Sequence, residues 1–184
     1  FNEYWMDHAP FLKQLSAHVD TGEPLDDETV DRIIASARFM SGNATLRQLQ
    51  FAKTDMVLHE QCGTSGETRA PQDFEREVAA QTVVMPTLED ESQLPAFGHL
   101  FAGGYAAGYY SYKWAEVLAA DAFAAFREVG LDNTEQVRAV AERFHDTVLA
   151  LGGSEPAAQV YRRFRGRDAT PDALLADQGL LEAS

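Results

Sequence analysis

The sequence predicts an all-α protein. Apolar residues recur three and four positions apart along most of the chain, no segment alternates strictly as a half-buried strand does, and there is no internal repeat. Of the 184 residues, 45% are hydrophobic and 24% charged, a composition typical of a globular domain. A chain of this length can bury a substantial core, and we predict a single helical unit over residues 1–184.

The first three helices are predicted from their caps and their apolar spacing. The first covers about residues 9–19 and ends at the Thr-Gly-Glu-Pro turn of residues 21–24. Asp26 or Asp27 caps the second, and a break at Gly42 separates it from the third. The apolar stripes of these two helices are Val30, Ile33, Ile34 and Ala37, then Leu46, Leu49, Ala52, Met56 and Val57.

Residues 63–95 form the least regular stretch of the chain. They begin with a Gly-Thr-Ser-Gly loop and end in an acidic, proline-containing segment, so we predict a flexible region with one short helix at about residues 73–81. Four further helices complete the prediction, at residues 104–128, 134–151, 155–164 and 171–175.

Charge and cysteine content exclude several classes of partner. Fifteen Lys and Arg against 29 Asp and Glu give a net charge of −14, which argues against a nucleic-acid or anionic-membrane surface. No apolar run approaches the roughly 20 residues that span a bilayer, and no basic-then-apolar leader follows Phe1. The single cysteine, Cys62, excludes an internal disulfide and fits a reducing compartment. We therefore expect a cytoplasmic protein.

The common catalytic motifs are missing from the sequence. The five histidines never fall four positions apart, so there is no zinc-binding His-Glu-x-x-His helix, and the nearest imitation starts at His59 and ends at Gly63. We interpret His59 as a polar residue at a helix end and Cys62 as a small, partly buried side chain, and we predict no metal site. Nucleophile-elbow, phosphate-loop and dinucleotide motifs are also missing.

One segment, residues 97–112, differs from the rest of the chain. It reads Phe-Gly-His-Leu-Phe-Ala-Gly-Gly-Tyr-Ala-Ala-Gly-Tyr-Tyr-Ser-Tyr. Glycines on both sides of His99, among them Gly103 and Gly104, allow the backbone to bend and to approach a ligand closely. The segment is therefore a candidate binding loop.

Three tyrosines follow these glycines at helical spacing. Tyr105, Tyr109 and Tyr112 occupy positions i, i+4 and i+7, which places their hydroxyls in one narrow stripe on a helix. Trp114 lies on the opposite face with an apolar set that predicts the side facing the core: Leu118, Ala122 and Ala125. Asp121 lies inside that face, so we expect it to pair with an arginine or to cap a backbone group.

Two interpretations of the tyrosine stripe remain open at this point. Aromatic stripes on helices usually belong to a core, where a buried tyrosine needs a partner for its hydroxyl. Aligned hydroxyls beside a histidine also suit the binding of peptide carbonyls or the stabilisation of an oxyanion.

Residues 99–123 strongly resemble the thimet-oligopeptidase family of zinc metallopeptidases, in particular its oligopeptidase A and dipeptidyl-carboxypeptidase type. Further stretches similar to that family are residues 21–25, 45–51, 152–154, 164–167 and 178–180. The resemblance implies the helical C-terminal portion of a zincin-type catalytic domain. It also implies that zinc, its ligands and the general-base glutamate belong to the intact parent enzyme upstream of Phe1. We then expect this fragment to bind no metal and to be inactive alone.

The resemblance also implies roles for the residues of the glycine-rich segment. Tyr112 would hydrogen-bond the oxyanion of the tetrahedral intermediate, and His99 would contact the substrate backbone near the scissile bond. Tyr105 and Tyr109 would hold the backbone or free carboxylate of a short peptide, and the glycines, including Gly103 and Gly104, would let the loop close over it.

Two other hypotheses compete with the peptidase fragment: a non-catalytic helical module that binds peptides or a partner helix, and a purely structural all-α domain. For the fragment, the expected partners are short peptides and the missing N-terminal part of the enzyme. We also expect bare apolar surface near Phe1, Tyr4, Trp5 and the tyrosine stripe, and self-association through it.

Overall fold

The computed structural model describes residues 1–64, 66–88 and 90–181. Ser65 and Glu89, which fall in the predicted irregular stretch, and residues 182–184 lie outside the described residues. Within the described part the chain is helical and contains no strand, which confirms the all-α prediction. Its α-helices are α1 (Ala9–Leu15), α2 (Asp27–Ser36), α3 (Ser41–Gln61), α4 (Pro71–Thr82), α5 (Gly98–Phe101), α6 (Ser111–Glu128), α7 (Thr134–Phe144), α8 (Ala157–Arg165) and α9 (Asp172–Asp177).

The chain forms two compact units. The first consists of Phe1–Phe39 and Glu116–Ser184, and the second of Met40–Ala115. None of the helices in the described part of the chain combines the length and apolar character that crossing a bilayer needs.

Aromatic rings form the core of the first unit. Phe123 on α6 is fully buried and lies beside Phe126, Val140 of α7 and Phe164 of α8. The rings of Phe1 and Trp5 lie 5.6 and 5.1 Å from that of Phe123, centroid to centroid, and Tyr4 packs on the same core. The expectation that Phe1, Tyr4 and Trp5 would be bare is therefore wrong, because the 3₁₀ turn Asn2–Asp7 folds them onto α6.

A buried ion network joins α6 to α8 within the first unit. The Asp121 carboxylate accepts hydrogen bonds from Arg167 Nη1 at 2.8 Å and from the Tyr161 hydroxyl at 2.5 Å. Arg165 Nη2 lies 3.5 Å from the same carboxylate and 2.7 Å from Glu128 Oε1. The prediction that Asp121 pairs with an arginine is confirmed.

The second unit is built on α3 and α4, which pack against each other. Its buried apolar cluster joins these helices to the segment that follows them, through Leu58, Phe74, Leu94 and Leu100. The predicted stripe of α3 is correct at Ala52 but wrong at Leu49 and Met56, which are exposed. The buried face of α3 is rotated toward polar side chains: Gln50, Thr54 and Asp55.

Several helix boundaries differ from those predicted. The helix expected from residue 104 begins only at Ser111, and α7 ends at Phe144, where a π-helical turn, His145–Leu149, continues it. Gly42 does not separate helices but lies in the first turn of α3. Asp26 is the cap of α2, since its carboxylate accepts the Thr29 N–H at 2.8 Å.

Two predictions about burial are also wrong. Trp114 is 54% exposed rather than packed in a core, although Ala122 and Ala125 of the same helix are buried as predicted. Cys62, the C-cap residue that follows α3, is exposed rather than partly buried.

Candidate functional site

The glycine-rich segment of the second unit begins as the single-turn helix α5. Leu100 is fully buried in the core of this unit, and it anchors the turn on which the neighbouring His99 is exposed. The N–H groups of Ala102 and Gly103 both donate to the Gly98 carbonyl, at 2.7 and 2.9 Å, and so end the turn. His99 is thereby held on a short, anchored element.

Four side chains from this segment come together as the His/Tyr cluster, which consists of His99, Tyr105, Tyr109 and Tyr112. The ring centroid of His99 lies 5.7 Å from that of Tyr105, 6.4 Å from that of Tyr109 and 6.2 Å from that of Tyr112. Tyr112 lies 5.0 Å from Tyr105 and 5.2 Å from Tyr109. The residues that the sequence selected therefore form one continuous surface.

A turn, rather than a helix face, brings the tyrosines together. Residues 105–110 are not helical, and Ala107 has a φ of 52°, in the left-handed region that residues with a Cβ rarely adopt. The three tyrosines do lie together as predicted, but a turn and not a helical stripe produces this arrangement. The loop reverses the chain so that Tyr105 reaches Tyr112 at the start of α6.

The two adjacent glycines of the segment disfavour a side chain for different reasons. A Cβ on Gly103 would lie 3.0 Å from the His99 Cα and 3.2 Å from the His99 carbonyl oxygen, so a side chain there would displace the backbone of His99. Gly104 has open space around it but a φ of 80°, which a side chain disfavours.

Tyr109 belongs to both the cluster and the core. Its ring packs against Phe97 and Phe51 at 5.2 and 5.9 Å, and its hydroxyl donates to Gln48 Oε1 of α3 at 2.9 Å. Burial raises the pKa of Tyr109 above its ordinary value. Because its proton is already donated, this hydroxyl can accept a hydrogen bond from a ligand N–H but has none left to donate.

Tyr112 is the most accessible phenol of the cluster, with 38% of its surface exposed. Its hydrogen bond with Tyr105, together with desolvation and the nearby Tyr105 and Tyr109 phenols, raises the pKa of Tyr112 to about 12. Tyr112 is therefore a neutral hydrogen-bond donor throughout the physiological pH range.

A residue that the sequence analysis missed, Asp55 of α3, lies directly behind the loop. It is fully buried, and its Oδ1 and Oδ2 atoms accept the N–H groups of Ala107 and Tyr109, both at 2.9 Å. His59 Nδ1 lies 2.9 Å from Asp55 Oδ1 and 2.8 Å from the Asp55 carbonyl oxygen. Since both oxygens can only accept, His59 Nδ1 carries the proton and donates it.

The helical spacing of α3 already indicates that Asp55 is buried. Asp55 lies three residues after Ala52 and three before Leu58, both buried, so it shares their face of α3. A carboxylate in that position must find hydrogen-bond donors. The two backbone N–H groups that it binds, those of Ala107 and Tyr109, lie more than fifty residues away in the sequence, and only the fold reveals them.

The described residues do not fit a metal site. Among residues 1–64, 66–88 and 90–181, no three side chains of the types His, Cys, Asp or Glu are grouped to hold an ion. His59 directs its Nδ1 to Asp55.

Comparison with known proteins identifies the family that the chain matches. Residues 1–180 match the family described as Peptidase family M3. Organellar oligopeptidase A of Arabidopsis thaliana is 45% identical over 184 residues, which are 100% of this chain and 23% of that protein. A probable cytosolic oligopeptidase A of the same plant is 44% identical over 184 residues, 100% of this chain and 26% of the relative.

A third relative differs in its named activity. Dipeptidyl carboxypeptidase of Salmonella typhimurium is 31% identical over 179 residues, covering 97% of this chain and 26% of that protein. The chain therefore spans about a quarter of the length of these relatives.

Proposed function

The chain belongs to peptidase family M3, and on that basis we propose that it is the C-terminal segment of a zinc-dependent oligopeptidase that cleaves short peptides. The His/Tyr cluster would form one wall of the substrate cleft. The observation that carries the proposal is the convergence of one histidine and three phenols on a single surface, in a chain matched by this family almost throughout.

Tyr112 would stabilise the oxyanion that forms when a peptide carbonyl is attacked. Its exposure and its neutral phenol support this role, because a donor must be protonated and reachable when negative charge develops. Tyr112 would give up its hydrogen bond with Tyr105 and donate to the substrate oxygen instead. The net gain would then depend on how strong the hydrogen bond with Tyr105 is.

The other members of the cluster would bind substrate. His99, exposed on α5, would contact the peptide backbone near the scissile bond. Tyr105 would donate to a backbone carbonyl or to the free carboxylate of a short peptide. Tyr109 would accept a backbone N–H, since its own proton is donated to Gln48. Gly103 and Gly104 would let the loop approach the substrate.

The zinc ligands and the general base would come from parts of the longer protein outside this chain, since the described residues do not fit a metal site. The segment alone would not hydrolyse peptides, and the missing N-terminal part of the same enzyme would be its obligatory partner.

The compartment and the assembly state belong to the same proposal. A single cysteine fits a reducing cytoplasm; of the plant relatives, one is named cytosolic and one organellar. The isolated segment would self-associate through the exposed part of the tyrosine stripe, at Tyr112.

Replacing Tyr112 by phenylalanine in the full-length protein tests the proposed chemistry. Tyr112→Phe should lower kcat for a short peptide by on the order of 10²–10³, with a much smaller change in KM. Tyr110→Phe is the matched control, because Tyr110 lies two residues before Tyr112, is 53% exposed and is not a member of the cluster. A kcat that falls equally in both variants, or in neither, would remove Tyr112 from the chemistry.

A further inference from the structure

Asp55 is a carboxylate in an unusual position for a structural residue. It is fully buried, yet within the described part of the chain its partners include no arginine or lysine. A buried carboxylate is costly unless several donors satisfy it. Here the donors are two backbone N–H groups of one loop and the ring of His59, one helical turn further along α3.

The two backbone donors lie where the loop most needs support. Ala107, whose N–H donates to Asp55 Oδ1, is the residue with a φ of 52°. A non-glycine residue in that region costs free energy and persists only when its surroundings hold it. Tyr109, whose N–H donates to Oδ2, carries a ring of the cluster.

A second contact from α3 holds the same loop. Gln48 accepts the Tyr109 hydroxyl at 2.9 Å and lies seven residues before Asp55, which places the two on one face of the helix, two turns apart. The face of α3 formed by Gln48 and Asp55 thus holds both the backbone and the side chain of Tyr109.

We infer that Asp55 is a positioning residue that fixes the loop 105–110 and, through it, the phenols of the His/Tyr cluster. It touches no substrate, and it acts through the backbone of Ala107 and Tyr109. His59 supports it by donating Nδ1–H to the carboxylate and to the Asp55 carbonyl. The expected effect on catalysis rests on the proposed function, whereas the effect on the loop does not.

Hydrogen exchange of the native full-length protein tests the loop directly. With single-amide resolution by mass spectrometry, the N–H groups of Ala107 and Tyr109 should exchange slowly although residues 105–110 are not helical. Exchange of both at the rate of an unprotected amide would overturn the inference without any variant.

The variant Asp55→Asn then tests the carboxylate itself. The asparagine side chain has one acceptor oxygen, whereas two backbone N–H groups donate to the carboxylate of Asp55. At least one of these two N–H groups should therefore exchange roughly 10- to 100-fold faster. Asp121→Asn is the matched control, since Asp121 is equally buried but bonded only to side chains. It should leave exchange at residues 105–110 unchanged. Unchanged exchange in Asp55→Asn, or an equal increase in the control, would overturn the role of Asp55.

Kinetics of the same variants separate this inference from the proposed function. Displaced phenols should lower kcat by roughly 10- to 100-fold in Asp55→Asn, with KM changing far less. Faster exchange of the Ala107 and Tyr109 N–H groups together with a normal kcat would support Asp55 as the residue that holds the loop. The same result would refute the role of the cluster in hydrolysis.

Discussion

Gly103 and Gly104 show how adjacent residues of one type meet different physical demands. Alanine at position 103 would place a Cβ 3.0 Å from the His99 Cα, whereas alanine at position 104 meets no atom and suffers only its φ of 80°. We expect Gly104→Ala to cost about 1–2 kcal/mol of stability and to leave His99 in place. Gly103→Ala should instead displace His99 and raise KM for peptides.

Urea unfolding and peptide kinetics of the two glycine variants check this difference. A normal KM in Gly103→Ala, or a raised KM in Gly104→Ala alone, would contradict the assignment of steric contact to the first position and backbone strain to the second.

The ionisation of Tyr112 gives a second test at the scale of one residue. Its hydrogen bond with Tyr105 raises the pKa of Tyr112 to about 12 from the usual 10.0. A raised phenol pKa stabilises the neutral form in the fold, so this contribution to stability is complete below pH 10 and is lost as the pH rises through about 12. The phenolate absorbance of wild type minus that of Tyr112→Phe should have its midpoint near pH 12. A midpoint near pH 10 would contradict the hydrogen bond.

The residues of the His/Tyr cluster can be selected from the sequence, but the turn that brings them together cannot. Spacing selected Tyr105, Tyr109 and Tyr112 as a helical stripe, and the family resemblance gave them roles. The turn that unites them depends on Asp55, whose distance in sequence from residues 105–110 hides the contact from any local pattern.

The start of α6 shows the same limit at the scale of elements. Residues 104–110 have helical spacing, but the N–H groups of Ala107 and Tyr109 donate to the Asp55 carboxylate instead of to helical carbonyls. A long-range contact therefore overrides local propensity. The cap of α2 depends on local contacts alone, and Asp26 is one of the two residues that the sequence predicts for it.

The link between α6 and α8 gives a prediction about stability. Asp121 is buried with Arg165, whose side chain is only 5% exposed, so Asp121→Ala leaves a buried cation without one of its partners. We expect a loss of about 3 kcal/mol. The control Asp168→Ala breaks the exposed pair with Arg162 and should cost less than about 1 kcal/mol. Urea unfolding at neutral pH measures both, and equal losses would contradict the network's importance.

The same network predicts how stability depends on pH. Burial alone would raise the pKa of Asp121, but the hydrogen bonds from Arg167 and Tyr161 outweigh it and hold the pKa below the usual 3.8. The contribution of Asp121 is therefore present above pH 3.8 and lost as the pH falls through the lowered value. Unfolding free energies of wild type and Asp121→Asn should converge in that acidic range. A constant difference down to pH 2 would contradict this.

At the scale of the whole molecule, the sequence predicted the fold class and could not predict the division into two units. The chain passes from one unit to the other at two places. The first is Met40, next to the start of α3, and the second is Ala115, inside α6. Neither place has the proline- or glycine-rich composition that marks a linker. The division depends on which helices pack together, and a periodic pattern does not contain that information.

Zinc content and hydrolysis of a short peptide should be compared between the isolated chain of 184 residues and the full-length protein. Circular dichroism would first establish that the isolated chain is helical. We predict one zinc per full-length chain together with peptide hydrolysis, and neither in the isolated chain. Stoichiometric zinc or hydrolysis in the isolated chain, or a full-length protein without either, would contradict this prediction.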